Sequence, residues 1–150
     1  MLEERAQHSI DDLARMQADV RSLAAPRLLP WLMNAKSDHP RADDAMAQLE
    51  GFDGTMAGDH AAPAIYWAWK GALVRAVFAD ELGAATLEAL LGGKRFQDVL
   101  EGVLERGDDW WCDDKATPAA ETCAQMADRA FGDALDHLAL GMGTNPAMWR

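Results

Sequence analysis

The chain has 150 residues, enough for one domain with an adequate hydrophobic core. Its 49% hydrophobic and 26% charged residues are ordinary for a globular domain, and a formal net charge of −11 argues against a nucleic-acid partner, because a phosphate backbone is held by clustered Lys and Arg. No apolar run reaches membrane-spanning length: Ala61 to Trp69 stops at Lys70, Val74 is followed by Arg75, and the N-terminal MLEERAQHS has no apolar signal core.

Strand signals are weak, with one Tyr and no useful alternating apolar run. Helical signals recur along the chain. Ser9 is a good N-cap, with Asp12 in the capping-box position. Ile10, Leu13, Met16, Val20 and Leu23 then follow at three- and four-residue steps until Pro26, which ends or kinks the helix. A short apolar piece, Leu28 to Met33, is interrupted by Pro30, and Lys36-Ser37-Asp38-His39-Pro40 reads as a loop. A third helix is expected from about Arg41 to Glu50, with Ala42, Ala45, Met46 and Leu49 inward. Gly51 and Gly54 bracket a tight turn.

Pro63 fits only a first turn, so a long helix should begin near residue 60 and reach about Leu82. It carries Ile65, Trp67, Trp69, Leu73, Val77 and Phe78, with Lys70, Arg75 and Asp80 as its main charges. A helix apolar over so much of its circumference belongs at the centre of a bundle. A short helix at Thr86 to Leu91 lies between Gly83 and Gly92-Gly93. Another is expected from about Phe96 to Glu105, with Phe96, Val99, Leu100, Val103 and Leu104 inward. Asp108 to Lys115 reads as an acidic loop. Thr117-Pro118 reads as the start of the last long helix, which carries Cys123, Ala127, Ala130, Phe131, Ala134 and Leu138 and ends at Gly141 and Gly143. The expectation is all-α: one irregular bundle of about six to seven helices over residues 1–150.

No motif carries chemistry by itself. Asp108, Asp109, Asp113 and Asp114 supply oxygens suited to calcium, but lack EF-hand spacing; a solvated acidic loop is the preferred reading. Asp11 with Asp12 and Asp43 with Asp44 are adjacent on helices and do not converge. Asp53 and Asp59 are expected to order the turn and cap the following helix. His8, His39, His60 and His137 have no metal-ligand spacing and fit surface or capping roles. Cys112 and Cys123 show neither a zinc pattern nor a nucleophile signature; a disulfide and a pair of buried thiols are both open. A bond closing that short loop would stabilise by about 2–3 kcal/mol in the chain-entropy model. Trp31, Trp67, Trp69, Trp110, Trp111 and Trp149 could form a sugar or acyl-chain platform, though packing is the preferred role. No catalytic residue, cofactor or metal site is expected.

Four stretches carry a resemblance. They are GFDGTMAGDHAAPAIYWAW from Gly51, HSIDDLARMQADVRSLAAPRLLPWL from His8, WWCDDKATPAAETC from Trp110, and the terminal NPAMWR. Together they cover nearly the whole chain, and in the family's order they resemble the helical region of the β-subunit in the penicillin amidase family. Those enzymes are N-terminal-nucleophile hydrolases that cleave amide bonds. The resemblance implies an α/β heterodimeric parent in which a new N-terminal Ser attacks, its own α-amine acts as base, and an Asn helps hold the oxyanion. It implies a periplasmic or secreted parent, and it tips the two cysteines toward Cys112–Cys123 pairing.

The family's nucleophile and oxyanion Asn precede the matched region, so no catalytic role passes to Asn34, Asn145 or any Arg. The chain begins Met1-Leu2 and ends at Met148-Trp149-Arg150, partway into a family motif that reads Trp-Arg-Trp-Gly, so it is expected to be an excised segment, inactive alone. The expected partner is the remainder of the acylase. The isolated segment, with apolar surface left open, is expected to form a homodimer or small oligomer. The alternative is a free-standing acidic helical module that binds a protein partner.

Overall fold

The computed structural model of the chain describes residues 7–91 and 97–150. Ser9 Oγ accepts the Asp12 N–H at 3.1 Å while the Asp12 carboxylate accepts the Ser9 N–H at 3.0 Å, and this reciprocal cap starts α1 (Ile10–Gln17). The helix stops at Gln17, well before Pro26, and buries none of its residues. Pro26 instead sits in the first turn of α2 (Ala25–Met33), where a missing N–H goes unnoticed. Residues 20–22 between the two helices run beside residues 54–56. Ser22 N–H donates to Gly54 O at 2.9 Å and Met56 N–H to Val20 O at 3.0 Å. This single antiparallel bridge, Arg21 to Thr55, is the nearest approach to a sheet among the described residues.

α3 (Ala42–Gln48) turns Ala42 and Ala45 inward, with Leu49 just beyond its end. The chain then reverses through Gly51 and Gly54, at φ 73° and 89°. α4 (Ala62–Leu82) is the axis of the molecule. Pro63 lies in its first turn, and Ile65, Tyr66, Trp69, Leu73, Val77 and Phe78 are all fully or almost fully buried. Asp59, expected as its cap, contributes no capping bond; the helix starts from Ala61 without a side-chain cap. Gly83 at φ 74° redirects the chain into α5 (Ala84–Leu91).

α6 (Gln97–Arg106) buries Leu100, Val103 and Leu104, but Val99, expected inward, is exposed. Residue 99 lies one turn before residue 103, at the edge rather than the centre of the stripe formed by residues 100, 103 and 104, and stays open to solvent. Phe96 lies outside the described residues. The acidic stretch after α6 is not all loop: Asp109–Cys112 forms the short α7, one helix more than the sequence reading supplied.

The last long helix, α8, is Cys123–Met142 and does not start at Thr117. Thr122 caps it, with Gln125 reaching back to the Thr122 N–H at 2.8 Å. Thr117 is drawn away: its hydroxyl bonds Glu121 at 2.6 Å and Ala119 O at 2.9 Å inside an irregular 113–121 loop. Thr-Pro is a good local start signal, but the Thr122 box adjoins the Cys123 anchor and wins.

α8 is rich in small residues on its inner face, where Ala127, Ala130 and Ala134 flank Phe131. Small side chains let it lie close along α4, and the two make the most extensive helix pairing in the molecule. The Trp69 indole N–H donates to Ala127 O at 3.2 Å and fixes their register. Each large side chain buried in this interface contributes about 1.5–3 kcal/mol. A 3-10 turn, Pro146–Met148, follows Gly143 and folds Trp149 fully into the core against α3, with its indole N–H on Gly143 O at 2.8 Å.

Candidate functional site

Two concave surfaces flank α4. The first, a cleft of about 640 Å³, lies between the residue 19–24 segment, α2, α4 and α6. Its charged floor is unusual because Lys70 and Glu101 are both nearly buried, at 4% and 6% exposure. Glu101 is satisfied by Arg27 at 2.8 Å, and Arg27 also reaches Glu105 at 3.4 Å. The Lys70 ammonium stands 5.3 Å from the centroid of the half-exposed Trp67 ring, close enough for a cation–π contact. Burial pushes the neighbouring Tyr66 hydroxyl upward in pKa, and no hydrogen-bond partner meets it among the described residues. Ions of both signs are already paired here, so the cleft is a braced polar seam with one indole wall.

The second surface is a groove of about 660 Å³ between α4 and α8. Ala68, Gly71, Ala72, Ala76 and Ala134 floor it, and Arg75, Arg129 and His137 stand along it. Arg75 is held by Glu88 at 3.3 Å and Arg129 by Asp114 at 2.8 Å.

The disulfide loop is the most densely bonded polar region. Cys112 and Cys123 are joined, with Cα atoms 4.9 Å apart. Cys112 ends α7 and Cys123 begins α8, so the bond ties two helix ends rather than a loop to a second helical turn. Asp109 accepts the Cys123 N–H at 2.9 Å. Asp113 pairs with Lys115 at 2.7 Å, which holds its carboxyl below the usual range; Arg129 does the same for Asp114. Asp109, Asp113 and Asp114 of the acidic cluster are thus wired into the fold, while Asp108 precedes α7 without a side-chain cap bond. Among the described residues no three His, Cys, Asp or Glu side chains converge as a metal site would require.

The remaining sequence candidates are dispersed. Asp12 caps α1 and pairs with Arg15; Asp53 accepts the Thr55 N–H at 2.9 Å and meets Arg21 at 2.7 Å. His60 lies on the surface 3.5 Å from Asp59. His39 uses both ring nitrogens: Nδ1 accepts the Arg41 N–H at 3.2 Å and Nε2 meets Asp136 at 3.1 Å, which fixes the Nε2–H tautomer and leaves no free lone pair for a base. Asn34 donates to Pro30 O at 2.7 Å, and Asn145 accepts the Ala147 N–H at 3.1 Å. Of the tryptophans, Trp69 and Trp149 are buried, while Trp67 and Trp110 are exposed.

The sequence reading missed the burial of Lys70 and of Glu101, which the exposed Arg27 pairs, and it missed Glu81, whose carboxyl is buried at the end of α4. A lysine directly after Trp-Ala-Trp and a glutamate inside Val-Leu-Glu-Gly-Val were the available signals. Each marks a charge set within an otherwise apolar stretch.

Comparison with known proteins is informative over the whole chain. Residues 1–150 match the family described as penicillin amidase. The chain is similar to the acyl-homoserine lactone acylase QuiP of Pseudomonas putida, 27% identical over 115 residues, covering 73% of this chain. It spans only 14% of that relative's length. No solved structure gives a significant match.

Proposed function

The chain belongs to the penicillin amidase family, and from that premise we propose that it serves as a helical part of an amide-hydrolysing acylase. In this reading an N-terminal Ser nucleophile and its oxyanion Asn lie elsewhere in the parent enzyme. The α4–α8 core braces the catalytic part or supports its acyl pocket. The family match over every residue carries the reading. The role of brace draws on the side chains: Arg27 with Glu101, Arg75 with Glu88 and Arg129 with Asp114 form structural pairs beside α4, while α1 presents Ile10 and Leu13 to solvent. The partner is then the remainder of an acylase α/β heterodimer, which would cover such faces. The Cys112–Cys123 bond supports a periplasmic or secreted parent, since disulfides persist where thiols are not kept reduced. The similar Pseudomonas protein makes long-chain and short-chain acyl-homoserine lactones the first substrates to try, with phenylacetyl amides as the β-lactam side-chain surrogate.

The test is amide hydrolysis by two purified proteins: residues 1–150 alone, and the complete gene product that carries them. The expected result is turnover by the complete product and none by residues 1–150. Turnover by the 150 residues themselves, abolished by a point change within them, would contradict the assignment of the chemistry elsewhere.

A further inference from the structure

Two start signals for α8 stand about one turn apart, and the helix can use only one of them. Thr122 with Gln125 is the start in use. Upstream, Thr117-Pro118 would place Pro at the first helical position. Ala119, Ala120 and Glu121 behind it are good helix formers, and an acid near a helix N-terminus suits the dipole. Pro118, Ala119, Ala120 and Thr122 are exposed, so burial does not hold them out of the helix. Hydrogen bonds do. Asp113 accepts the Glu121 N–H at 3.3 Å, Glu121 accepts the Asp114 N–H at 3.1 Å, and the Thr117 hydroxyl meets Glu121 at 2.6 Å.

What stands in the way of the longer helix is α7. In a helix continued upstream, the Cys123 N–H would bond Ala119 O one turn back. The Asp109 carboxylate of α7 takes that N–H instead, at 2.9 Å, so α7 fills the place of the missing turn. The Cys112–Cys123 bond, with Cα atoms 4.9 Å apart, keeps α7 there. We propose that this bond is a redox gate on the start of α8. Oxidised, it holds α7 over the helix end and fixes the start at Cys123. Reduced, it lets α7 withdraw, and α8 extends by about one turn to Pro118, with Thr117 as its cap.

Reduction takes two electrons and two protons, which a dithiol reductant supplies. One of its thiolates attacks one cysteine sulfur, and the other cysteine leaves as a thiolate that takes up a proton. The reductant's second thiol then closes its own disulfide and releases the first cysteine. Cys112 and Cys123 are both buried, so a reductant does not reach the bond at the surface of the folded chain. The gate is therefore set as the chain folds, and it records whether folding took place with thiols or with the bond. The inference rests on the α7–α8 junction alone and stands whether or not the parent is an acylase.

The test refolds residues 1–150 from denaturant with and without a dithiol and compares backbone carbon chemical shifts at Ala119, Ala120 and Glu121, with hydrogen exchange of the α8 amides as the control for a folded core. The oxidised chain is expected to show non-helical shifts there. In the reduced chain they are expected to move to helical values while α8 stays protected. Cys112→Ala, which cannot form the bond, is expected to match the reduced chain without any reductant. Asp109→Ala, kept oxidised, is expected to retain the start at Cys123, because α7 is still tethered. Thr122→Ala gives an independent reading. It is expected to lower the folded-to-unfolded ratio roughly fivefold in the oxidised chain, where Thr122 is the cap, and to cost nothing in the reduced chain, where that position lies inside the helix and Ala is the better former. Unchanged or random-coil shifts at residues 119–121 in the reduced chain, loss of α8 protection there, or an equal Thr122→Ala loss in both thiol states would each overturn the proposal. So would a helix start that moves in oxidised Asp109→Ala.

Discussion

Gly54 decides where α2 can lie. Its φ of 89° is a left-handed conformation, and a Cβ added there would drive into the side chain of the fully buried Ala25. Its carbonyl also receives the Ser22 N–H. Gly54→Ala should therefore cost on the order of 2 kcal/mol or more, combining backbone strain with overpacking. Gly58→Ala, where a Cβ meets open space, should stay within about 0.5 kcal/mol. Urea denaturation of the two variants separates the cases; equal midpoints would remove this account of the turn. Gly51 and Gly54 were legible in the sequence because a glycine pair around Phe-Asp has a local meaning. For Lys70 and Glu101 an apolar neighbourhood was the local hint, but burial of a charge, as at Glu81, is decided by which other elements close over it, and that is not written near the residue.

The helices show the same division between local and tertiary signals. Ser9–Asp12 and Thr122–Gln125 are the same capping chemistry, and both could be read from residue type and spacing. The sequence reading found the first and passed over the second for Thr117-Pro118. What selects Thr122 is long-range: Asp109 takes the Cys123 N–H, and the disulfide pins Cys123 to the end of α7. The apolar spacing of α4 and α8 was clear, and those helices form the core; similar spacing from Ile10 to Leu23 was equally clear, yet α1 buries nothing. Periodicity thus gives a helix its apolar face but does not say whether anything covers it. The two caps should consequently differ in effect. Thr122→Ala is expected to lower global stability by about 1 kcal/mol, because α8 unfolds only with the core. Ser9→Ala removes a similar local energy, but should shift the global transition by less than about 0.3 kcal/mol while reducing helical ellipticity. Thermal and urea unfolding followed by circular dichroism test both; equal losses would show α1 to be coupled to the core after all.

At the scale of the whole molecule, one helical core lies under surfaces that remain apolar. Ile10 at 85%, Leu23 at 88% and Leu140 at 90% exposure are large apolar side chains that the described residues leave open to water. A net charge of −11 opposes indiscriminate aggregation, so such faces suit a defined partner. In the acylase reading that partner is the rest of the enzyme. Thiol labelling of Ile10→Cys tests the idea most directly, under non-reducing conditions and at a concentration where sedimentation shows residues 1–150 to be monomeric. The account predicts rapid labelling in residues 1–150 alone and labelling slowed roughly tenfold or more in the complete, active gene product, as expected when a site opens only through local unfolding. Equal labelling in both would contradict it, leaving α1 as a face that the acylase does not use.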